Sequence, residues 1–249
     1  CKDVIFFATP PVDGVFQEYV AHEAGLCFKL PENVSPMEGA LIEPLAVGMH
    51  AANQGGAHLG QTAVVTGAGC IGLVSLLSLK AMGVSKVIVV DVMEKRLQKA
   101  LELGADAVIN GKEEDTVARI LELTDGKGFD YIYETAGSTI TMKMAYELAA
   151  NKAGICYIGK PTKELTFTVE EWENMNRKEF TMTGSWLSYS APFPGHEWDC
   201  VAHYFATGQL KGEEALIFKK LPLSRIAEGF EMFKTRGAVK GKILIDSEA

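Results

Sequence analysis

Thr62-Ala63-Val64-Val65-Thr66-Gly67-Ala68-Gly69-Cys70-Ile71-Gly72 joins a short β-branched run to the pattern G-x-G-x-x-G, and apolar residues at helical spacing follow. A strand that enters such a turn and leaves as a helix is the phosphate-binding start of a βαβ unit. Gly67 permits the tight turn, Gly69 lets backbone amides approach a pyrophosphate, and Gly72 lets helix and strand pack closely. The helix start adds N–H groups without helical partners and a partial positive charge. The next strand ends on Asp91, 19 residues past Gly72, where a carboxylate can accept hydrogen bonds from both ribose hydroxyls. Its charge repels a 2′-phosphate, so the expected cofactor is NAD rather than NADP. Two other readings use the same residues: a purely structural turn with Asp91 capping the next helix, and the Gly-rich turn of a nucleoside-cofactor methyltransferase. Strand context, spacing and acid together favour the dinucleotide.

Outward from this turn, β-branched runs alternate with helical patterns, the rhythm of parallel strands joined by crossover helices. Strands are expected at 62–66, 86–91, 107–110, 131–134, 154–158 and 180–184, and helices at 71–82, 94–103, 115–123, 139–149 and 169–176. The fold class is α/β, a doubly wound six-stranded parallel sheet. The flanks differ. Residues 1–44 carry Pro10, Pro11, Pro31 and Pro36 and read as irregular or β-type, while a loop rich in Pro and aromatics, two helices (197–206 and 223–236) and a last strand (242–245) follow Gly184. They are expected to form a second domain assembled from both ends of the chain.

Length and composition agree with this division. The chain has 249 residues, 47% of them hydrophobic and 22% charged, enough for a sizeable core and room for one or two domains. Lys and Arg total 24 against 32 Asp and Glu, a net charge of −8 without basic clusters, which argues against nucleic acid or an anionic membrane as the main partner. No apolar run approaches the ~18 residues of a bilayer span. The five cysteines are dispersed and form no CxxC pair, so a reducing cytoplasm is expected. The chain opens on Cys1 with no leader before a strand-like run, and is expected to lack its beginning.

Neighbouring motifs resemble a known family. Ala40-Leu41-Ile42-Glu43-Pro44-Leu45-Ala46-Val47-Gly48-Met49-His50-Ala51 is similar to the E-P-L-x-V-x-x-H-A segment of zinc-dependent medium-chain dehydrogenases of the sorbitol dehydrogenase type. Phe7-Ala8-Thr9-Pro10-Pro11-Val12-Asp13-Gly14, Lys29-Leu30-Pro31 and Glu134-Thr135-Ala136-Gly137 resemble the same group. The stretch from Gly184-Ser185-Trp186 to Gly195-His196-Glu197-Trp198 is similar to one in galactitol-1-phosphate 5-dehydrogenases. Leu187 and Ser188 stand where sorbitol dehydrogenases more often carry Arg-Tyr, which moves a polyol phosphate ahead of sorbitol as the expected substrate.

The resemblance implies a Rossmann domain at 45–185 and parts of a GroES-like β-rich catalytic domain at 1–44 and 186–249, with on the order of 100 residues of that domain missing. It implies NAD and a catalytic zinc that acts as a Lewis acid on the alcohol. Glu43 matches the family's glutamate at that zinc, bound directly or through water, and Pro44 is expected to leave its carboxylate displayed at a helix entrance. The family's Cys and His-Glu ligands have no counterpart, and His22, His50, His58, His196 and His203 do not replace them. Cys1 stands where the last of four structural-zinc cysteines would fall, and without the other three it is a free thiol. Gly67, Gly69, Ile71 and Gly72 are expected at the pyrophosphate and Asp91 at the ribose. Arg96 either stacks near the adenine or is a solvated helix charge. Thr135, Ala136, Ile158 and Gly159 are expected at the nicotinamide. Trp186 and Tyr189, with Trp198, either line a substrate cleft or pack the second lobe. A homodimer or homotetramer joined through the nucleotide domain is implied, with the last strand as the edge. The alternative is an NAD-binding fragment or pseudoenzyme without turnover.

Overall fold

The computed structural model describes residues 5–187, 193–210, 213–235 and 237–247. Six parallel strands, β1 (Thr62–Thr66), β2 (Lys86–Asp91), β3 (Ala107–Asn110), β4 (Phe129–Glu134), β5 (Ala149–Tyr157) and β6 (Thr181–Gly184), form one sheet in the order β3-β2-β1-β4-β5-β6. The order reverses between β1 and β4, which opens a crevice at the carboxyl ends of the strands. The expected doubly wound sheet is therefore present.

Both faces of the sheet are covered. Side chains alternate along each strand, so neighbouring residues serve opposite layers. Ala63, Val65, Val89, Tyr133 and Cys156 pack with α1 (Pro36–Gly55), α2 (Cys70–Ala81) and the buried side of α7 (Gly195–Ala206). Val64, Ile88, Ile132 and Ile155 pack on the other side against Ile120 of α4 (Thr116–Leu123) and Ala145, Tyr146 and Leu148 of α5 (Thr139–Leu148). Between β2 and β3 lies α3 (Glu94–Glu102), and between β5 and β6 lies α6 (Val169–Lys178). All five crossover helices lie within two residues of the expected limits.

The strands differ more at their starts. β5 begins at Ala149, with a register shift against β4 and Lys152 at φ +62°. Ala149-Ala150-Asn151-Lys152 contains no β-branched residue, so the pattern hid this part of the strand. β7 (Ile217–Pro222), which pairs in parallel with β8 (Lys242–Asp246), was also hidden, because Lys219-Lys220 interrupts its alternation. A 3₁₀ turn at Leu223–Arg225 leads into α8 (Ile226–Lys234). Among the described residues before 36 there is no strand, only turns and a 3₁₀ turn at Ala24–Leu26.

The expectation for Glu43 needs correction. Glu43 is not at a helix entrance but inside α1, which starts at Pro36. Ser35 caps the helix: its hydroxyl accepts the Glu38 N–H at 3.2 Å, and the Glu38 carboxylate accepts the Ser35 N–H at 2.7 Å. This capping box, with Pro36 in the first turn, supplies the start signal eight residues before Pro44. Pro44 then removes one helical hydrogen bond, and the apolar burial of Leu41, Ile42, Leu45 and Met49 outweighs that loss.

Candidate functional site

Each glycine of the turn meets a different constraint. Gly67 follows β1 at φ +102°, and a Cβ there would lie 2.8 Å from Thr135 Oγ1. A Cβ on Gly72 would lie 1.8 Å from the Gly67 carbonyl oxygen, so only glycine lets α2 pack this close. Gly69 caps α2 in extended conformation, and a Cβ on it would meet nothing within 4 Å. Open space over a helix N-terminus is the cradle that a pyrophosphate requires. The residues present therefore fit a dinucleotide.

Asp91 braces this turn, a role that spacing did not reveal. Its Oδ2 accepts the Ala68 N–H at 2.7 Å, and its Oδ1 accepts the N–H groups of Val92 and Met93 at 2.8 and 2.9 Å. The residue is 9% exposed, and Arg96 Nη1 lies 3.8 Å from Oδ2. Arg96 borders the site with its side chain still 30% exposed. With Ala68, Gly69 and Cys70 it lines a cavity of about 280 Å³ that Thr235, Gly237 and Lys240 border from the C-terminal part. Burial pushes the Cys70 thiol up, the nearby Lys242 side chain opposes the shift, and the Glu43 charge adds to it. Glu43 is exposed and close enough to Cys70 for its charge to be felt. The C-terminal segment was missed as part of the site, although Lys240-Gly241-Lys242 was a visible basic signal.

A second buried carboxylate organises the next two strand ends. Glu134, fully buried, accepts the N–H groups of Ala136 and Gly137, each at 3.1 Å, and the Thr141 hydroxyl at 2.7 Å. Burial raises its carboxyl above the ordinary value, and these hydrogen bonds oppose the shift. The Glu134 carbonyl accepts the amides of Ile158 and Gly159, while Thr135 Oγ1 donates to the carbonyls of Thr66 and Gly67. Thr135, Ala136, Ile158 and Gly159 are thereby brought beside the glycine turn.

Beyond them opens a cleft of about 1,020 Å³, lined by Ile158, Gly159, Ser185 and Trp186 from the sheet end and by His50, His196 and Glu197 from α1 and α7. Among the described residues the buried Ser185 hydroxyl has no partner. Trp186 lines the cleft, whereas Trp198 packs edge-on against Phe28 and Phe193, so the aromatic residues divide between the two readings. Tyr189 and Cys1 lie outside the described residues. His50 Nδ1 and Glu197 Oε1 are 2.7 Å apart. His196 Nε2 lies 3.2 Å from Cys200 Sγ on the same helix. Among the described residues no group of three His, Cys, Asp or Glu side chains could hold a metal ion. Glu43 alone does not fit a zinc site, which needs three or four ligands.

Comparison with known proteins reaches the same part of the chain. The family model for zinc-binding dehydrogenases matches residues 70–204. A zinc-type alcohol dehydrogenase-like protein of Escherichia coli K12, YdjJ, is 46% identical over 160 residues, 64% of this chain and 46% of its own length. Human sorbitol dehydrogenase is 34% identical over 233 residues, covering 93% of this chain and 62% of its own length. The crystal structure of galactitol-1-phosphate dehydrogenase from Escherichia coli superposes with a TM-score of 0.85 at 30% identity, covering 94% of this chain and 68% of that one. The chain spans about half the length of several curated relatives it matches. The glycine turn and its helix, the strand ends gathered by Glu134, and these matches lead to one conclusion: the chain belongs to the zinc-binding dehydrogenase family.

Proposed function

We propose that the whole protein is an NAD-linked oxidoreductase that oxidises a secondary alcohol of a polyol or polyol phosphate, of the galactitol 1-phosphate or sorbitol and L-iditol type, to the ketose. The observation that carries this reading is the open glycine turn, braced by Asp91, beside a cleft lined by His50, Ile158, Gly159, Trp186 and Glu197. NAD, when bound, supplies the acceptor for the hydride. Gly67, Gly69, Ile71 and Gly72 hold the pyrophosphate, Asp91 the ribose hydroxyls, and Arg96 the adenine side. Thr135, Ala136, Ile158 and Gly159 orient the nicotinamide half against the cleft, where Trp186 shields the alcohol from water. The residues assigned to the dinucleotide and the alcohol fall in 45–185 and at the start of 186–249, and α1 ties 1–44 to both.

The family is zinc-binding, and we assign Glu43 to that metal, directly or through water. Because the described residues make no metal site, the remaining donors must come from elsewhere, and Cys1 would serve a structural zinc only with three further thiolates. That observation also sustains the second reading, an NAD-binding fragment or pseudoenzyme that does not turn over. No described helix is long and apolar enough to cross a membrane. We place the protein in the cytoplasm, on the dispersed free cysteines Cys27, Cys70, Cys156 and Cys200. We further read the exposed edge strand β6 as the seam of a homodimer or homotetramer. A panel of hexitols and hexitol phosphates, assayed with NAD and zinc on the whole protein, tests the activity. Reduction of NAD by one of them supports the first reading; NADH binding without any turnover selects the second. A monomer in light scattering refutes the assembly.

A further inference from the structure

His50 and Glu197 are 147 positions apart in sequence, and each is 8% exposed. One comes from α1 and the other from the first turn of α7, and both line the larger cleft. Holding two helices together does not call for ionisable groups, since well-packed apolar residues of similar volume serve as well or better. What the pair adds is direction. Burial pushes the Glu197 carboxyl up, and the hydrogen bond from His50, with that from its own backbone amide, outweighs burial and leaves the group ionised below the ordinary range. An ionised carboxylate only accepts, so the 2.7 Å contact requires the proton on His50 Nδ1 and fixes the imidazole tautomer and plane. The same bond pins the first turn of α7, with His196, against α1, in the lining of the cleft that Trp186 also borders.

We propose that Glu197 is a positioning residue for the alcohol: acting through His50, it fixes where the first turn of α7 sits in the cleft lining and so decides which alcohol fits. The inference rests on the reading of this cleft as the alcohol site of a dehydrogenase. Glu197→Gln keeps an acceptor for Nδ1–H, whereas Glu197→Leu removes it. In the whole protein, Glu197→Leu should raise KM for the alcohol about tenfold or more with kcat and the NADH dissociation constant within about twofold, and Glu197→Gln should restore most of the loss. Nitrogen NMR should show the His50 proton on Nδ1 in wild type and Glu197→Gln, and its loss in Glu197→Leu. Glu173→Gln, in an exposed pair with Arg177, is the control and should change none of these. An unchanged KM in an active Glu197→Leu protein overturns the proposal and leaves the dehydrogenase reading intact. A parallel fall of kcat, NADH affinity and melting temperature also overturns it, since that is the signature of a merely structural pair. Wild-type protein that oxidises no alcohol overturns both.

Discussion

Alanine at Gly69 and at Gly72 adds the same methyl group three residues apart, yet the geometry requires opposite results. At Gly69 the backbone is extended, φ −74° and ψ −177°, a conformation open to any residue, and the new Cβ meets nothing within 4 Å. Gly→Ala at such a site stabilises by roughly 0.4–1 kcal/mol, through the unfolded chain. At Gly72 the Cβ would sit 1.8 Å from the Gly67 carbonyl oxygen, so backbone must move, at a cost of at least 1–3 kcal/mol, typical of overpacking. Ligand binding exposes the cost at Gly69. The space over Gly69 is where the pyrophosphate must approach the backbone, and losing one charged hydrogen bond there costs roughly 1.5–3 kcal/mol, or 10- to 150-fold in affinity. Urea unfolding with and without NADH separates the two effects. Wild type gains about 2.7 kcal/mol at one hundred times its dissociation constant. Gly69→Ala should match or exceed wild type without ligand and gain little with it, and Gly72→Ala should be the weaker protein in both. Wild-type NADH affinity in Gly69→Ala would refute the assignment of this turn to the pyrophosphate.

Asp91→Asn places an amide where the Oδ2 and Oδ1 acceptors face three backbone N–H groups, so about 2 kcal/mol of stability is lost, a fall of roughly 4–8 °C in thermal melts, with NADH binding weakened at least about tenfold. Ser35→Ala removes the cap of α1 at a cost of about 1 kcal/mol, measurable by chemical unfolding, without effect on NADH binding. Glu197 is held below the ordinary carboxyl value of 4.5, so its contribution to stability is complete above that pH and disappears as the pH falls through the lower native value. Unfolding free energies followed from about pH 6 down to about pH 3 should therefore fall less steeply for Glu197→Gln than for wild type.

The sheet was legible because its information is local. Each of β1, β2 and β3 is a β-branched run ended by a polar or turn residue, and the glycines after β1 announce the direction change. The position of Asp91 was legible from spacing for the same reason. What Asp91 does was not, because its partner Ala68 is 23 residues away and no sequence pattern encodes which carboxylate oxygen takes which amide. The His50–Glu197 pair and the approach of Lys240 and Lys242 to the turn were hidden by still longer separations. α1 shows a conflict between two local signals. Pro44 reads as a helix start, and only the Ser35–Glu38 capping box places the start earlier.

The brace between Asp91 and the Ala68 amide constrains how this lineage can change. If Asp91 binds the ribose as proposed, a shift toward a cofactor carrying a 2′-phosphate begins with removal of that acid, which is also the acceptor that holds the turn closed. On that assignment, cofactor preference and foldability are inherited as one character. A successful switch has to bring a replacement acceptor for the Ala68 N–H before or together with the new charge, so it requires at least two coordinated substitutions.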